Sequence, residues 1–444
     1  MRKWSGLLIT LIVMLSLAAC SGGKENNSQS EGAKPGESAS VKEPVTIQAW
    51  FPPVLPEAKL KELAEAFNAQ SEDVKVEMTI LDWEKGREKI KTGMISGEGP
   101  DVFYLANGLD QAYIDGKVLA SAADAGISPE HLAKFDPLIN MNSVDGNIYA
   151  LPLNFDVYVL YYRKDMLKEA GFDHPPTTWE ELKTMSKAIS KDTNGDGKPD
   201  VMGFQLKGAD DHLNAINLSW QSMMAASGGS FINAEGKSSM NSPEGIEALN
   251  YLQSFYKEGI STIGASSVTG FAEGKIGMFF FVQNVGDVNK WAENADLTGK
   301  WAMAPMPKGP SSSASYAAGH AVGINANSKD VKAAGKFVEW FASPENSVDF
   351  MDNGHGIPPY NLDKIDPATR AKIQVKIDAD KENWDAIYAQ LAASSPDLSI
   401  QGRIAYSARW DAQKVELLSS IIGDVTAEQA LENLDKRINQ AIGE

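Results

Sequence analysis

Cysteine is all but missing from this 444-residue chain: the single one is Cys20. A body without cysteine has no disulfide, no thiolate metal site and no cysteine nucleophile. Histidine is scarce too, with five residues at 131, 174, 212, 320 and 355 and no His-Glu-x-x-His pair, so a zinc hydrolase has no foundation. There is no Walker loop and no nucleophile elbow. Lys91-Thr92-Gly93 and Ser254-Phe255-Tyr256-Lys257 imitate two β-lactamase motifs, but in reverse order and without Ser-Asp-Asn. Positive charge is in deficit, 41 Lys and Arg against 59 Asp and Glu, for a net −18; a nucleic-acid partner, which needs a basic surface, is excluded on that ground. No apolar run reaches the roughly 20 residues needed to span a bilayer.

What is present begins at the N-terminus. Arg2-Lys3, the apolar stretch Leu7 to Leu17 and the small residues Ala18-Ala19 have the order of an export signal. Leu17-Ala18-Ala19-Cys20 resembles the lipobox of bacterial lipoproteins. That resemblance implies a signal peptide over 1–19, removal at Cys20 and a diacylglyceryl group on its sulfur, with palmitate-type acyl chains holding the protein to the outer face of the cell membrane. Residues 20–43, rich in Ser, Gly, Glu, Asn and Lys, lack the apolar side chains to offset ordering entropy and read as a disordered tether.

About 400 residues remain, more than one hydrophobic core usually holds, so two lobes are expected. Val45 to Trp50 alternates as a strand, and Leu60, Leu63, Ala64 and Phe67 recur with helical period. Val74 to Ile80 and Asp101 to Leu105 are again strand-like. This βαβ rhythm predicts an α/β fold with a largely parallel sheet. Val157 to Tyr162 opens a second region. Thr178-Trp179-Glu180-Glu181 fits a capping box ahead of a helix that buries Leu182, Met185 and Ile189. Further helices are expected near Ser328, burying Val331, Ala334, Val338 and Phe341, and near Thr426, burying Leu431, Leu434 and Ile438.

Asp101-Val102 after Gly99-Pro100, the stretch from Tyr149-Ala150-Leu151-Pro152-Leu153 to Tyr161-Tyr162-Arg163-Lys164-Asp165, Phe271 to Met278, Gly319 to Ile324 and Gly356-Ile357-Pro358 stand in one order. In that order the chain resembles extracellular solute-binding proteins of the carbohydrate-binding subfamily, which includes maltose-binding proteins of ABC importers. The resemblance implies a two-lobed, periplasmic-binding-protein-like (type II) fold with ligand in the cleft. It also implies a monomeric partner for membrane permease subunits, with no catalysis. By resemblance, lobe 1 comprises 44–153 plus about 271–319, lobe 2 comprises 154–270 plus about 320–444, and crossings lie near Asn154, Phe271 and Gly319.

A sugar presents hydroxyls at its ring edge and apolar C–H faces, so its site pairs flat aromatic rings with Asp, Asn, Gln and Arg. Residues at strand ends and loops supply the candidates: Trp50 and Phe51, Asp82 and Trp83, Asn107, then Asn154, Asp156 and Tyr158. Trp220, Gln283, Asn284, His320, His355, Arg403 and Trp410 extend the set. The competing reading for each tryptophan is core packing, and for Asp82, Asn107, Asn154 and Asp156 a turn or cap. Two other ligand classes stay open, a peptide or other polar solute and, through Tyr161-Tyr162, ferric iron, although adjacent strand residues face opposite ways. A paired-carboxylate glycoside hydrolase is the enzyme alternative.

One motif points to structural calcium. Asp192, Asn194, Asp196 and Asp200 occupy positions 1, 3, 5 and 9 of an EF-hand-like loop, with Gly197 at position 6 and Lys198 at position 7, where a backbone carbonyl is the ligand. The position-12 Glu is replaced by Gly203. The competing reading is a polar turn.

Overall fold

The computed structural model describes residues 43–206, 214–283, 291, 294–352, 356–394 and 406–443. Residues 1–42, which hold the expected signal peptide, Cys20 and nearly all of the expected tether, lie outside the described residues, as do Asn284, His355 and Arg403. The folded body begins at Pro44, where the composition changes.

Strand β1 (Val45–Phe51) alternates as its sequence demands: Ile47, Ala49 and Phe51 are buried while Gln48 and Trp50 are only half covered. Helix α1 (Glu57–Gln70) lays Leu60, Leu63, Ala64 and Phe67 on that buried face. Strand β2 (Val74–Ile80), helix α2 (Trp83–Ser96), strand β3 (Val102–Ala106), helix α3 (Gln111–Asp115) and strand β4 (Ala150–Pro152) follow. β1 runs parallel to both β2 and β3, as the βαβ rhythm predicts. The sheet is completed from far along the chain by β9 (His320–Ile324), which inserts antiparallel between β3 and β4.

The second sheet is built on β5 (Asp156–Arg163), buried along its whole length. A strand covered on both faces also needs hydrogen-bond partners on both edges. These are β6 (Met278–Val282), β7 (Trp301–Ala304) and β8 (Ala317–Ala318), all antiparallel to it. Two expectations are corrected here. The fold is α/β, but among the described strands the ladders of β1 alone are parallel, with single parallel bridges at Thr178–Lys308, Met202–Ile276 and Gln205–Phe279. Strands 278–282 and 301–304 pair with β5 in the second lobe, and 320–324 returns to the first, the reverse of the expected assignment. Phe271 is fully buried and packs edge-on against Phe279 of β6 at 5.2 Å.

β5 divides its side chains by strand periodicity. Val157, Val159 and Tyr161 join the apolar cluster that also holds Phe51, Phe67 and Phe337; Tyr158, Leu160 and Tyr162 join a second cluster around Trp220, Phe204 and Leu252. Tyr161 stacks on Phe279 at 4.9 Å and donates to the Val282 carbonyl, so the two adjacent tyrosines face different interiors. Helix α4 (Trp179–Ile189) starts where the capping signal places it: Thr178 Oγ1 accepts from the Glu181 amide at 3.1 Å. The Glu181 carboxylate reaches one residue further back than a capping box requires, to the amide and hydroxyl of Thr177, both at 2.7 Å. The second lobe is closed by helices α5 (Asn214–Ser227), α6 (Pro243–Lys257), α8 (Lys381–Ala393), α9 (Tyr406–Ile421) and α10 (Ala427–Ala441). Helix α7 (Val331–Phe341) covers the first sheet, with Ala334, Val338 and Phe341 inward as expected while Val331, at its first turn, is only half-buried, and α10 buries Leu431, Leu434 and Ile438.

Trp220 lies at the centre of the second cluster, fully buried, its Nε1 donating to the Gly245 carbonyl at 3.2 Å. Trp220→Ala is expected to remove about 3–5 kcal/mol of unfolding free energy, measured by denaturant titration.

Candidate functional site

Where the first lobe's α2, the end of β3 and α3 face α9 of the second lobe, they enclose a cavity of about 450 Å³. Arg87, Lys91, Tyr104, Asp110, Tyr113 and Trp410 are among the side chains that line it. Beside it stands an aromatic group: the Trp83 ring meets Tyr104 edge-on at 5.8 Å and lies 5.6 Å from the His320 ring, while Tyr104 Oη and His320 Nδ1 are 3.2 Å apart. The Arg87 guanidinium carbon lies 5.8 Å from the Trp83 ring centre and 6.0 Å from that of Trp410. Two indoles from opposite walls thus face one cation. Rings for C–H faces and charged groups for hydroxyls meet in one place, which is the arrangement a polar ligand with apolar faces requires.

Of the residues singled out from sequence, Trp83, His320 and Trp410 come together here. Tyr104, Arg87 and Tyr113 were not foreseen. Tyr104 sits in the unbroken apolar run of β3, which hides the side its ring takes; Arg87 carried a signal, since it follows Trp83 by four residues and so shares its helical face.

A second group of expected ligand residues is hydrogen-bonded into the passages between the lobes. The chain passes between lobes at 154–156 and again at 319, and these passages are tied by buried amides. Asn107 Nδ2 donates to the Asn154 carbonyl at 2.8 Å and its Oδ1 accepts from Asn142 Nδ2 at 2.9 Å. Asn154 Oδ1 accepts from the His320 amide at 3.0 Å, and its Nδ2 donates to Asp156 Oδ1 at 2.8 Å. Gln283 Nε2 donates to the same Asp156 oxygen at 3.0 Å, while Gln283 Oε1 accepts from the Val157 amide at 2.6 Å. Ile357 bridges Phe155 in antiparallel fashion, drawing a third segment to the same point. The approach is close enough to demand glycine: at Gly319, with φ +136°, a Cβ would stand 2.3 Å from the Asn154 carbonyl oxygen, and at Gly356 2.1 Å from Asn154 Nδ2. Asn107, Asn154, Asp156 and Gln283 are therefore tied into the crossings. Asn142 was missed, having no sequence signal beyond its polarity.

The remaining candidates are structural. Trp50 is half-buried with its ring under Lys89 Nζ at 4.6 Å, Phe51 packs edge-on against Phe341 at 5.3 Å, and Tyr158 and Trp220 are core. Asp82 caps α2, accepting from the Lys85 amide at 3.0 Å. In the 192–200 loop, Asp192 takes the amides of Gly195 and Gly197 at 2.7 and 2.8 Å, Asn194 that of Asp196 and Asp196 that of Lys198. Asp200 accepts from the hydroxyl and amide of Thr193, bonds that hold its carboxyl below the usual range. Among the described residues no three His, Cys, Asp or Glu side chains are gathered for a metal ion, and the carboxylate and amide oxygens of this loop accept from its own backbone amides, as in a polar turn.

This geometry, two α/β lobes with a polar and aromatic cleft between them, defines a cleft-type binding protein. The family model of the bacterial extracellular solute-binding protein matches residues 53–348, and the chain belongs to that family. It is therefore of an exported, extracellular class. A probable ABC transporter-binding protein of Deinococcus radiodurans is 30% identical over 225 residues, which cover 48% of this chain and 51% of that one, so the match spans about half of that relative. The galactooligosaccharide-binding protein of Bacillus subtilis is 25% identical over 389 residues, 83% of each chain. The fold is that of an ABC substrate-binding protein from Listeria monocytogenes in complex with cycloalternan, at TM-score 0.74 and 21% identity, covering 90% of this chain and 99% of that one. It is shared by a cyclic α-maltosyl-1,6-maltose binding protein from Arthrobacter globiformis, at TM-score 0.70 and 22% identity over 90% and 99%.

Asp156 gives the hinge a pH signature. Burial pushes its carboxyl from 3.8 up to about 7, against the opposing pull of the Gln283 and Asn154 amides. Between those values the folded protein keeps a proton that the unfolded chain has lost. The stability from this group is thus full below about pH 4 and is lost as pH rises through about 7. Asp156→Asn should flatten that decline, narrowing the difference in melting temperature between pH 4 and pH 8 relative to the parent.

Proposed function

We propose that this protein is the binding component of an ABC importer: it takes a sugar or oligosaccharide into the cleft, closes its lobes around the ligand and passes it unchanged to membrane permease subunits. The observation that carries this reading is the meeting of Trp83, Tyr104 and His320 from one lobe with Trp410 from the other beside one cavity. Indole faces take the C–H faces of a pyranose, and the lining charged and phenolic groups take its hydroxyls. Relatives that share most of the chain's length are named for galactooligosaccharide and maltodextrin binding, which supports the same class. Closure follows because a ligand touching both walls binds the closed form better than the open one. The residues of the cleft act by contact, and no step of bond cleavage is assigned to them.

Export ends, in this reading, with the protein held by acyl chains on Cys20 at the outer face of the membrane, as a monomer on the tether of residues 20–43. Cys20→Ser should release the protein to the medium or leave an unprocessed precursor, read by fractionation and mass; a variant processed and membrane-held like the parent would refute the anchor.

Ligand class is tested by thermal shift on protein lacking residues 1–20 with panels of mono- and oligosaccharides, peptides and metal ions. Graded shifts that rise with the logarithm of oligosaccharide concentration are expected. Trp410→Ala should cost about 2 kcal/mol of ligand binding, roughly thirtyfold in Kd. Shifts from peptides alone would move the protein to another ligand class, and cleaved sugar after long incubation would make it a hydrolase.

A further inference from the structure

We propose that Arg87 is a clasp between the lobes that competes with ligand for the Trp410 ring and so sets ligand affinity; this rests on the carbohydrate reading only for its binding arm. Trp83 and Arg87, four residues apart, lie on one face of α2, and the guanidinium is placed between the Trp83 ring of the first lobe and the Trp410 ring of the second, at 5.8 and 6.0 Å. A guanidinium suits that position: it is planar, weakly hydrated and always charged, so it sits against an indole face at less desolvation cost than an ammonium.

The Trp410 side of the clasp is anchored from below. The Trp410 carbonyl accepts from Asn217 Nδ2 at 3.0 Å, and one turn on, Gln413 Oε1 accepts from Gln221 Nε2 at 2.7 Å, both bonds joining α9 to α5 within the second lobe. Arg409, adjacent in sequence and fully buried, places its guanidinium over the Phe231 ring at 4.8 Å. The backbone that carries Trp410 is thus fixed to its own lobe. A force on the ring is passed to the lobe, and Arg87 draws the two walls together.

A pyranose that stacks on Trp410 needs the face toward which Arg87 is directed. Binding then exchanges one interlobe contact for another: the cation leaves the ring, the sugar takes it, and closure is carried by the ligand. Two consequences have opposite signs. Loss of Arg87 opens the protein when no ligand is present, and it strengthens the binding of a sugar that no longer has to displace it.

The test uses Arg87→Met, which keeps an apolar stem of similar reach, and Arg87→Lys, which keeps the charge in a more hydrated form. Without ligand, Arg87→Met should show a larger radius of gyration by small-angle scattering and an altered tryptophan emission, with Arg87→Lys between it and the parent. With maltotriose and a galacto-oligosaccharide mixture as probes in calorimetry, Arg87→Met should bind about 3- to 10-fold more tightly, the range set by one or two exposed cation–π contacts. Weaker or unchanged binding by Arg87→Met would overturn the competition and make Arg87 a ligand contact or a bystander. Identical scattering and emission in the ligand-free proteins would overturn the clasp. Should the parent bind neither probe, the carbohydrate reading fails for these sugars and the ligand-free comparison alone decides the clasp.

Discussion

A buried carboxylate that must find donors organises this molecule. Asp156 stands where the chain leaves the first sheet for the second, largely buried, with its Oδ1 accepting from two side-chain amides. An unpaired charge there costs several kcal/mol, so the fold brings Asn154 and Gln283 to it. Gln283 comes from the segment after β6 and Asn154 in turn holds the His320 amide at the head of β9. One satisfied group therefore gathers passages separated by more than a hundred residues in sequence. The two walls of the cleft take their relative position from that knot.

The hinge and the cleft use different chemistry for a physical reason. Amide-to-backbone bonds within a sealed environment are directional, and they fix where strands cross without offering a surface to solvent. Rings and long cations at the cleft rim are half exposed and can exchange one partner for another at small cost. Asn107 and Trp83 illustrate the division: each lies at or just beyond a strand end in the first lobe, yet one is buried and hydrogen-bonded to the crossing while the other is half-buried against Tyr104, which lines the cavity. β9 serves both, since His320 sends its amide to the hinge and its ring to the aromatic group.

Several features were legible in the residues themselves. The alternation of β1, the apolar stripe of α1, the Thr178 cap and the inward residues of α7 and α10 follow from local periodicity and local hydrogen bonding, which depend on neighbours within a few positions. Of the candidate site, Trp83, His320 and Trp410 were marked by residue type and by their place at element ends. Phe51, Tyr158 and Trp220 met the same description and are packed away, because an aromatic ring at a strand end or in a loop carries no mark of which side is solvent.

By itself, then, the sequence determined the elements, the start of the folded body, the absence of thiol chemistry and the likeness of the ordered motifs to solute-binding proteins, all of which are local or additive properties of residues. Only the tertiary structure decided that 278–282 and 301–304 pair with β5 while 320–324 returns between β3 and β4. It alone tied four expected ligand residues into the passages between the lobes and placed Arg87 between two indoles. Strand pairing and side-chain facing at long range are set by which polar groups are left to satisfy once the apolar faces are buried, and that is a property of the assembled chain and of no stretch of it.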